Sequence, residues 1–136
     1  MTQRNFSNKK RIKKIGEKHH LSLVLSFGSF AKGKVHKRSD LDIAVLTKEN
    51  LSFEEYSKLY SDFSEVFERQ NVDLVLINHA DPLFLKQILE NCQLLYGTKR
   101  TLDELKIYSF KKYCDYRQYL DLERKFAHQF IKELNG

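Results

Sequence analysis

Cysteine is scarce in this chain. Cys92 and Cys114 lie far apart and match no metal-binding spacing, so both read as reduced thiols in or near the core. Long hydrophobic runs are missing too. The longest, around Leu21 to Phe27 and Val72 to Ile77, are far too short to span a bilayer. The basic start, MTQRNFSNKKRIKK, is not followed by an apolar stretch. It is therefore no secretory signal, and the cytoplasm is the expected location. None of the five histidines has metal-ligand spacing. His36 reads as a solvated loop residue and His19-His20 as a helix end. The dinucleotide pattern G-x-G-x-x-G is absent, because Gly28 and Gly33 have no partner at position 30. The phosphate loop G-x-x-x-x-G-K-[ST] matches at Gly28, Gly33 and Lys34, but Val35 stands where a Mg²⁺-binding hydroxyl is needed. G-x-S-x-G is absent as well, which excludes Ser29 as a hydrolase nucleophile. There are no repeats, linkers or low-complexity segments.

The 136 residues suit a single domain with a modest core, and 41% hydrophobic residues argue against disorder. The formal net charge is +6 and the pI about 9.3. That balance suits an anionic partner such as a nucleotide, a nucleic acid or an acidic protein, without choosing among them. Much of the excess lies in Arg4, Lys9, Lys10, Arg11, Lys13, Lys14 and Lys18, the solvated face of an N-terminal helix.

Periodicity predicts a helix from about Phe6 to His19, with Ile12 and Ile15 as its apolar stripe and Gly16 weakening its middle or ending it early. LSLVLSF, Leu21 to Phe27, reads as a buried strand. A short helix follows at Ser29 to Lys32, then a polar loop at Lys34 to Ser39, then a second strand from Leu41 to Leu46. Ser52 with Glu55 forms a capping box. Behind it Phe53, Tyr56, Leu59, Tyr60, Phe63, Val66 and Phe67 recur at helical spacing up to Asn71. Val72 to Ile77 is a third strand. Asp81 and Pro82 open a further helix, buried through Leu85, Ile88, Leu89, Cys92 and Leu95 and ended by Gly97. From Leu102 to Leu134 there is no glycine or proline in 33 residues. As one helix this segment would be about 50 Å long, against a radius of gyration near 14 Å for a chain this size, so it must bend, break or project. Its tyrosines Tyr108, Tyr113, Tyr116 and Tyr119 either pack against the core or form an interface. The expected fold is α/β: one domain over residues 1–136, with a small sheet packed by helices (core about 20–97) and a helical C-terminal segment (about 101–135).

One stretch, GSFAKGKVHKRSDLDIAVL from Gly28 to Leu46, carries the chemistry. On a strand, Asp40 and Asp42 share a face, about 7 Å apart, and two such carboxylates can converge on hard cations. Gly28 and Ser29 sit where a strand yields to a helix, so backbone N–H groups and the helix dipole can hold phosphate. Lys32, Lys34, Lys37 and Arg38 make the intervening loop cationic, suited to a triphosphate or a leaving pyrophosphate. Asp73, at the start of the third strand, adds a third carboxylate.

Gly28-Ser29, ten intervening residues, then Asp40-Leu41-Asp42, resembles the signature of the polymerase-β-like nucleotidyltransferase superfamily. Ser39, Val45 and Asp73 fit the same pattern. The resemblance covers about Leu21 to Ile77. The short length is similar to that of the minimal nucleotidyltransferases, some of which are antitoxins encoded beside a HEPN-type ribonuclease toxin. Lys32 departs from the arginine that many relatives carry there, which removes a bidentate fork but keeps the charge.

This resemblance implies that Asp40, Asp42 and Asp73 are catalytic and hold Mg²⁺, two ions in all. It implies ATP as substrate, bound by Gly28 and Ser29 with Ser39 and Lys32 nearby. It further implies that AMP passes to a tyrosine of a cognate HEPN toxin. Three alternatives stay open: neutralisation by binding alone, transfer to a small molecule such as an aminoglycoside, and extension of a nucleic acid. No membrane partner is expected, and nucleic acid is not expected as the main substrate.

Overall fold

A computed structural model describes residues 3–28, 41–68 and 72–136. The elements run α1 (Gln3–Lys18), β1 (Leu21–Phe27), β2 (Leu41–Thr47), α2 (Phe53–Phe67), β3 (Val72–Leu76), a 3₁₀ turn (Ile77–His79), α3 (Pro82–Glu90), β4 (Cys92–Tyr96) and α4 (Lys99–Asn135). The expected short helix at Ser29 to Lys32 and the loop at Lys34 to Ser39 lie outside the described residues. The helix expected to run up to Asn71 stops earlier, at Phe67, where Glu68 takes the left-handed conformation (φ +51°) and its N–H turns back to the Ser64 and Glu65 carbonyls.

Four strands form one mixed sheet in the order β3-β2-β1-β4. β1 is antiparallel to β2 and to β4, while β2 and β3 are parallel. A parallel pair cannot be joined by a tight turn, and α2 makes the crossover. Alternation along β2 sends Leu41, Ile43 and Val45 to one face. There they pack with Leu21, Val24, Val72 and Leu74 against Ile12 and Ile15 of α1 and Leu59, Phe63 and Val66 of α2. Ala44 faces the other way and joins Leu23, Leu25 and Ile77 under Leu85, Ile88 and Leu89 of α3 and Leu102 and Leu105 of α4. The result is a three-layer α/β arrangement with a core on each side of the sheet.

Several local expectations hold in detail. The Ser52 hydroxyl accepts the Glu55 N–H at 3.2 Å and caps α2. The Asp81 carboxylate accepts the Phe84 N–H at 2.8 Å, with Pro82 in the first helical turn. Both cysteines are free thiols, half-buried. Burial pushes the Cys92 thiol pKa up, outweighing the nearby Lys106 charge and a backbone hydrogen bond.

Other expectations need correction. The helix read through to Gly97 stops at Glu90, and Cys92–Tyr96 is a strand instead. CQLLY fits either state by pattern alone, but β1 has an edge to fill, and Leu25, Ser26 and Phe27 pair with Leu94, Gln93 and Cys92. Gly16 does not end α1. A Cβ there would lie 2.5 Å from the Tyr96 ring, so glycine lets the helix approach β4 closely. Phe53 belongs to the apolar stripe of α2 by spacing, yet it is 86% exposed because it precedes the part of the helix that lies over the sheet.

The C-terminal segment is a single helix of 37 residues, about 55 Å long. Its buried residues, Leu102, Leu105 and Ser109, all lie in the first third. Tyr108 and Tyr119 are exposed and Tyr113 and Tyr116 half-buried, so packing into the core is not their shared role. No helix among the described residues is long and apolar enough to cross a membrane.

Candidate active site

The alternation that buries Leu41 and Ile43 on one face of β2 places Asp42 on the other, beside Ala44. In β3 the buried pair Val72 and Leu74 likewise leaves Asp73 and Val75 on that second face. The parallel register sets Asp42 directly opposite Asp73. Neighbouring strands lie about 4.8 Å apart, so the two carboxylates leave the sheet side by side. Asp73 is exposed and Asp42 half-buried.

Gly28 completes this corner. It follows Phe27, the residue of β1 paired with Asp42, and has φ +71°, the left-handed region that costs a side-chain-bearing residue about 1–2 kcal/mol. A Cβ on Gly28 would lie 2.5 Å from Asp42 Oδ2. The glycine therefore does two things: it turns the chain out of β1, and it keeps the space beside the carboxylate open. The wall behind the site is apolar, with the Phe27 and Phe84 rings meeting edge to face at 6.2 Å between centroids.

Tyr56 was legible only as a member of the α2 stripe, and the structure gives it a more specific part. Its hydroxyl crosses from α2 to donate to the Leu74 carbonyl at 2.9 Å, pinning β3 one residue beyond Asp73. Burial, then the Asp73 charge, then Tyr60 push its phenol pKa up, which keeps the donor protonated. No sequence signal distinguishes this hydroxyl from that of Tyr60, the other tyrosine of the stripe.

Gly28, Asp42 and Asp73 thus meet at one end of the sheet. Ser29, Lys32, Ser39 and Asp40, also predicted for the site, lie outside the described residues. Among the described residues no cluster of three or more metal-binding side chains occurs. The two carboxylates present fit a hard cation: the donors are all oxygen, and the missing Cβ leaves room beside one of them. His19 takes no part. It lies past the far end of β1, where it hydrogen-bonds Asp62 of α2 at 2.7 Å.

Known proteins resemble this chain in sequence and in fold. The family model described as "Polymerase beta, Nucleotidyltransferase" matches residues 10–101. The protein adenylyltransferase MntA of Shewanella oneidensis is 32% identical over 105 residues, covering 77% of this chain and 72% of that protein. Among solved structures, a toxin–antitoxin crystallised with AMP-PNP superposes with a TM-score of 0.71 at 26% identity, covering 92% of this chain and 98% of that one. A tri-AMPylated Shewanella oneidensis HEPN toxin in complex with MNT antitoxin gives 0.66 at 23% identity, covering 94% and 98%, and shares the fold.

Proposed function

This chain belongs to the polymerase-β nucleotidyltransferase family, and from that premise we propose that it is the antitoxin of a HEPN ribonuclease toxin, which it silences by moving AMP from ATP to a tyrosine hydroxyl. The observation that carries this reading is the in-register placement of Asp42 and Asp73 on one face, beside a glycine whose missing Cβ leaves Asp42 room. The MntA adenylyltransferase likeness supports AMP as the group moved. The toxin–antitoxin holding an ATP analogue supports the partner and the nucleotide.

In the reaction the tyrosine oxygen forms a bond to the α-phosphorus, the bond from that phosphorus to the bridging oxygen breaks, and pyrophosphate leaves with the electron pair. Asp42 and Asp73, with Asp40 two residues ahead of Asp42 in the sequence, would hold two Mg²⁺ ions. When bound, these supply positive charge to the attacking and leaving oxygens. Asp73, the exposed carboxylate, would take the proton of the incoming hydroxyl. Gly28 presents its backbone to the phosphates, and Ser29 adds an N–H and a hydroxyl. Lys32 and Ser39 would complete the nucleotide contacts.

Incubation with labelled ATP, Mg²⁺ and the protein encoded by the neighbouring reading frame tests this. Label is expected on a toxin tyrosine. Asp42→Asn and Asp73→Asn are each expected to lower the rate about 10²–10³-fold in a chain that still folds. Full protection of cells by the Asp42→Asn chain would show that chemistry is dispensable and that binding alone neutralises the toxin.

A further inference from the structure

We propose that the outer part of α4, from Phe110 to Asn135, is the docking surface for the acceptor protein, and that it receives a helical face of that protein, apolar along its middle and acidic along its rim. The inference rests on the function proposed above and adds where, and by what chemistry, the acceptor is held.

Beyond Ser109 no residue of α4 is buried. Tyr119, Leu122, Phe126, Phe130 and Leu134 are each more than half exposed. They recur in steps of three and four and so form one stripe along the helix. An apolar stripe of this length on a charged chain marks a protein contact. The segment is about 40 Å long, and half the girth of a helix about 10 Å across gives on the order of 600 Å². Each partner in a standard interface contributes about 800 Å², so the stripe supplies most of one side. Its regular spacing suits another helix or a helical groove.

Charge favours an acidic partner over a second copy. Between 110 and 136, Lys111, Lys112, Arg117, Arg124, Lys125 and Lys132 outnumber four carboxylates, and the whole chain is +6. A second copy would bring like charge to the same rim, whereas an acidic rim would be drawn in.

Placement ties the surface to the reaction. α4 begins after Gly97, which lies against Ser22 and Leu23 at the start of β1. By Ser109 to Tyr113 it borders a cleft with Lys86, Leu89 and Glu90 of α3. The chain passes from Glu90 directly into Cys92, the strand partner of Phe27. The helix therefore leaves the body at the end of the sheet that carries Gly28 and Asp42. A protein held on it stands beside the carboxylates, and its hydroxyl is delivered as a tethered rather than a free reactant.

The test uses the full chain carrying Phe126→Glu and Phe130→Glu, two exposed positions whose replacement leaves the helix and the unfolding midpoint intact. Calorimetry without ATP measures affinity for the protein from the neighbouring reading frame, and label transfer gives KM and kcat. The expected result is affinity at least 100-fold weaker, KM for the acceptor raised in step, and ATP binding and kcat at saturation unchanged. Wild-type binding should weaken as salt is raised. Asp42→Asn should bind the acceptor like wild type without modifying it, so a failure of the catalytic reading shows separately from a failure of docking. Wild-type affinity in the double variant overturns the proposal. So does a wild-type chain that fails to bind the acceptor. A wild-type dimer that the variant converts to monomer assigns the stripe to a second copy and overturns it as well. Binding indifferent to salt overturns the acidic rim.

Discussion

Gly28→Ala tests the site through a single methyl group. At φ +71° the substitution costs about 1–2 kcal/mol of backbone strain, a fall of about 4–10 °C in Tm for a chain this long. The larger effect is local. The new Cβ would lie 2.5 Å from Asp42 Oδ2, and an ordinary contact needs about 1 Å more. Because the backbone of β2 is held between β1 and β3, the carboxylate has to make that move. A 1 Å misplacement of a reacting group costs about 10²-fold in rate, equivalent to about 2.7 kcal/mol of transition-state stabilisation.

Gly97→Ala is the control. That glycine has φ +108°, and its Cβ would meet the Ser22 carbonyl oxygen at 2.6 Å, at the opposite end of β1. It should lower Tm at least as much while leaving the rate of the folded fraction unchanged. Both variants are assayed by thermal unfolding and by label transfer from ATP at saturating Mg²⁺, below their Tm. A folded Gly28→Ala chain that transfers at the wild-type rate would refute the placement of Asp42 at the reacting centre.

Two further outcomes test the packing and the electrostatics. Gly16→Ala improves helix propensity by about 1 kcal/mol yet drives a Cβ to within 2.5 Å of the Tyr96 ring, so a net loss of about 1–2 kcal/mol is expected by urea unfolding; a stabilised variant would show that α1 does not press on β4. For Asp62, burial by itself would raise the carboxyl pKa, but hydrogen bonds from His19 and Lys18 and their charges outweigh it and lower it from 3.8. A value lowered in the folded state stabilises the fold above the unfolded pKa, and that contribution disappears as pH falls through the folded one. Asp62→Asn should therefore lower stability at neutral pH, where the link between α1 and α2 is lost, and flatten the acid side of the stability–pH curve below 3.8. Equal acid slopes in variant and wild type would contradict this.

Much of the molecule was decided one residue at a time along the chain. Strand alternation put Asp42 and Asp73 on faces opposite to their buried neighbours, because side chains of period two leave no other choice once Leu41, Ile43, Val72 and Leu74 are buried. Ser52, Asp81 and Pro82 announced their helix starts by chemistry that acts within three or four residues. Local sequence could not decide which strands would be neighbours. The pairing of Asp42 with Asp73 depends on the crossover through α2 between Thr47 and Val72, and Cys92–Tyr96 became a strand only because the edge of β1 was open to it. Gly16 looked like a helix breaker until a ring from another element filled the space its missing side chain leaves. The same holds for α4: composition foretold a long helix, but which part of it is covered was settled by where α3 ends. Backbone propensity and periodicity act over a few residues, while burial, register and charge pairing are set by groups that meet only when the whole chain has folded.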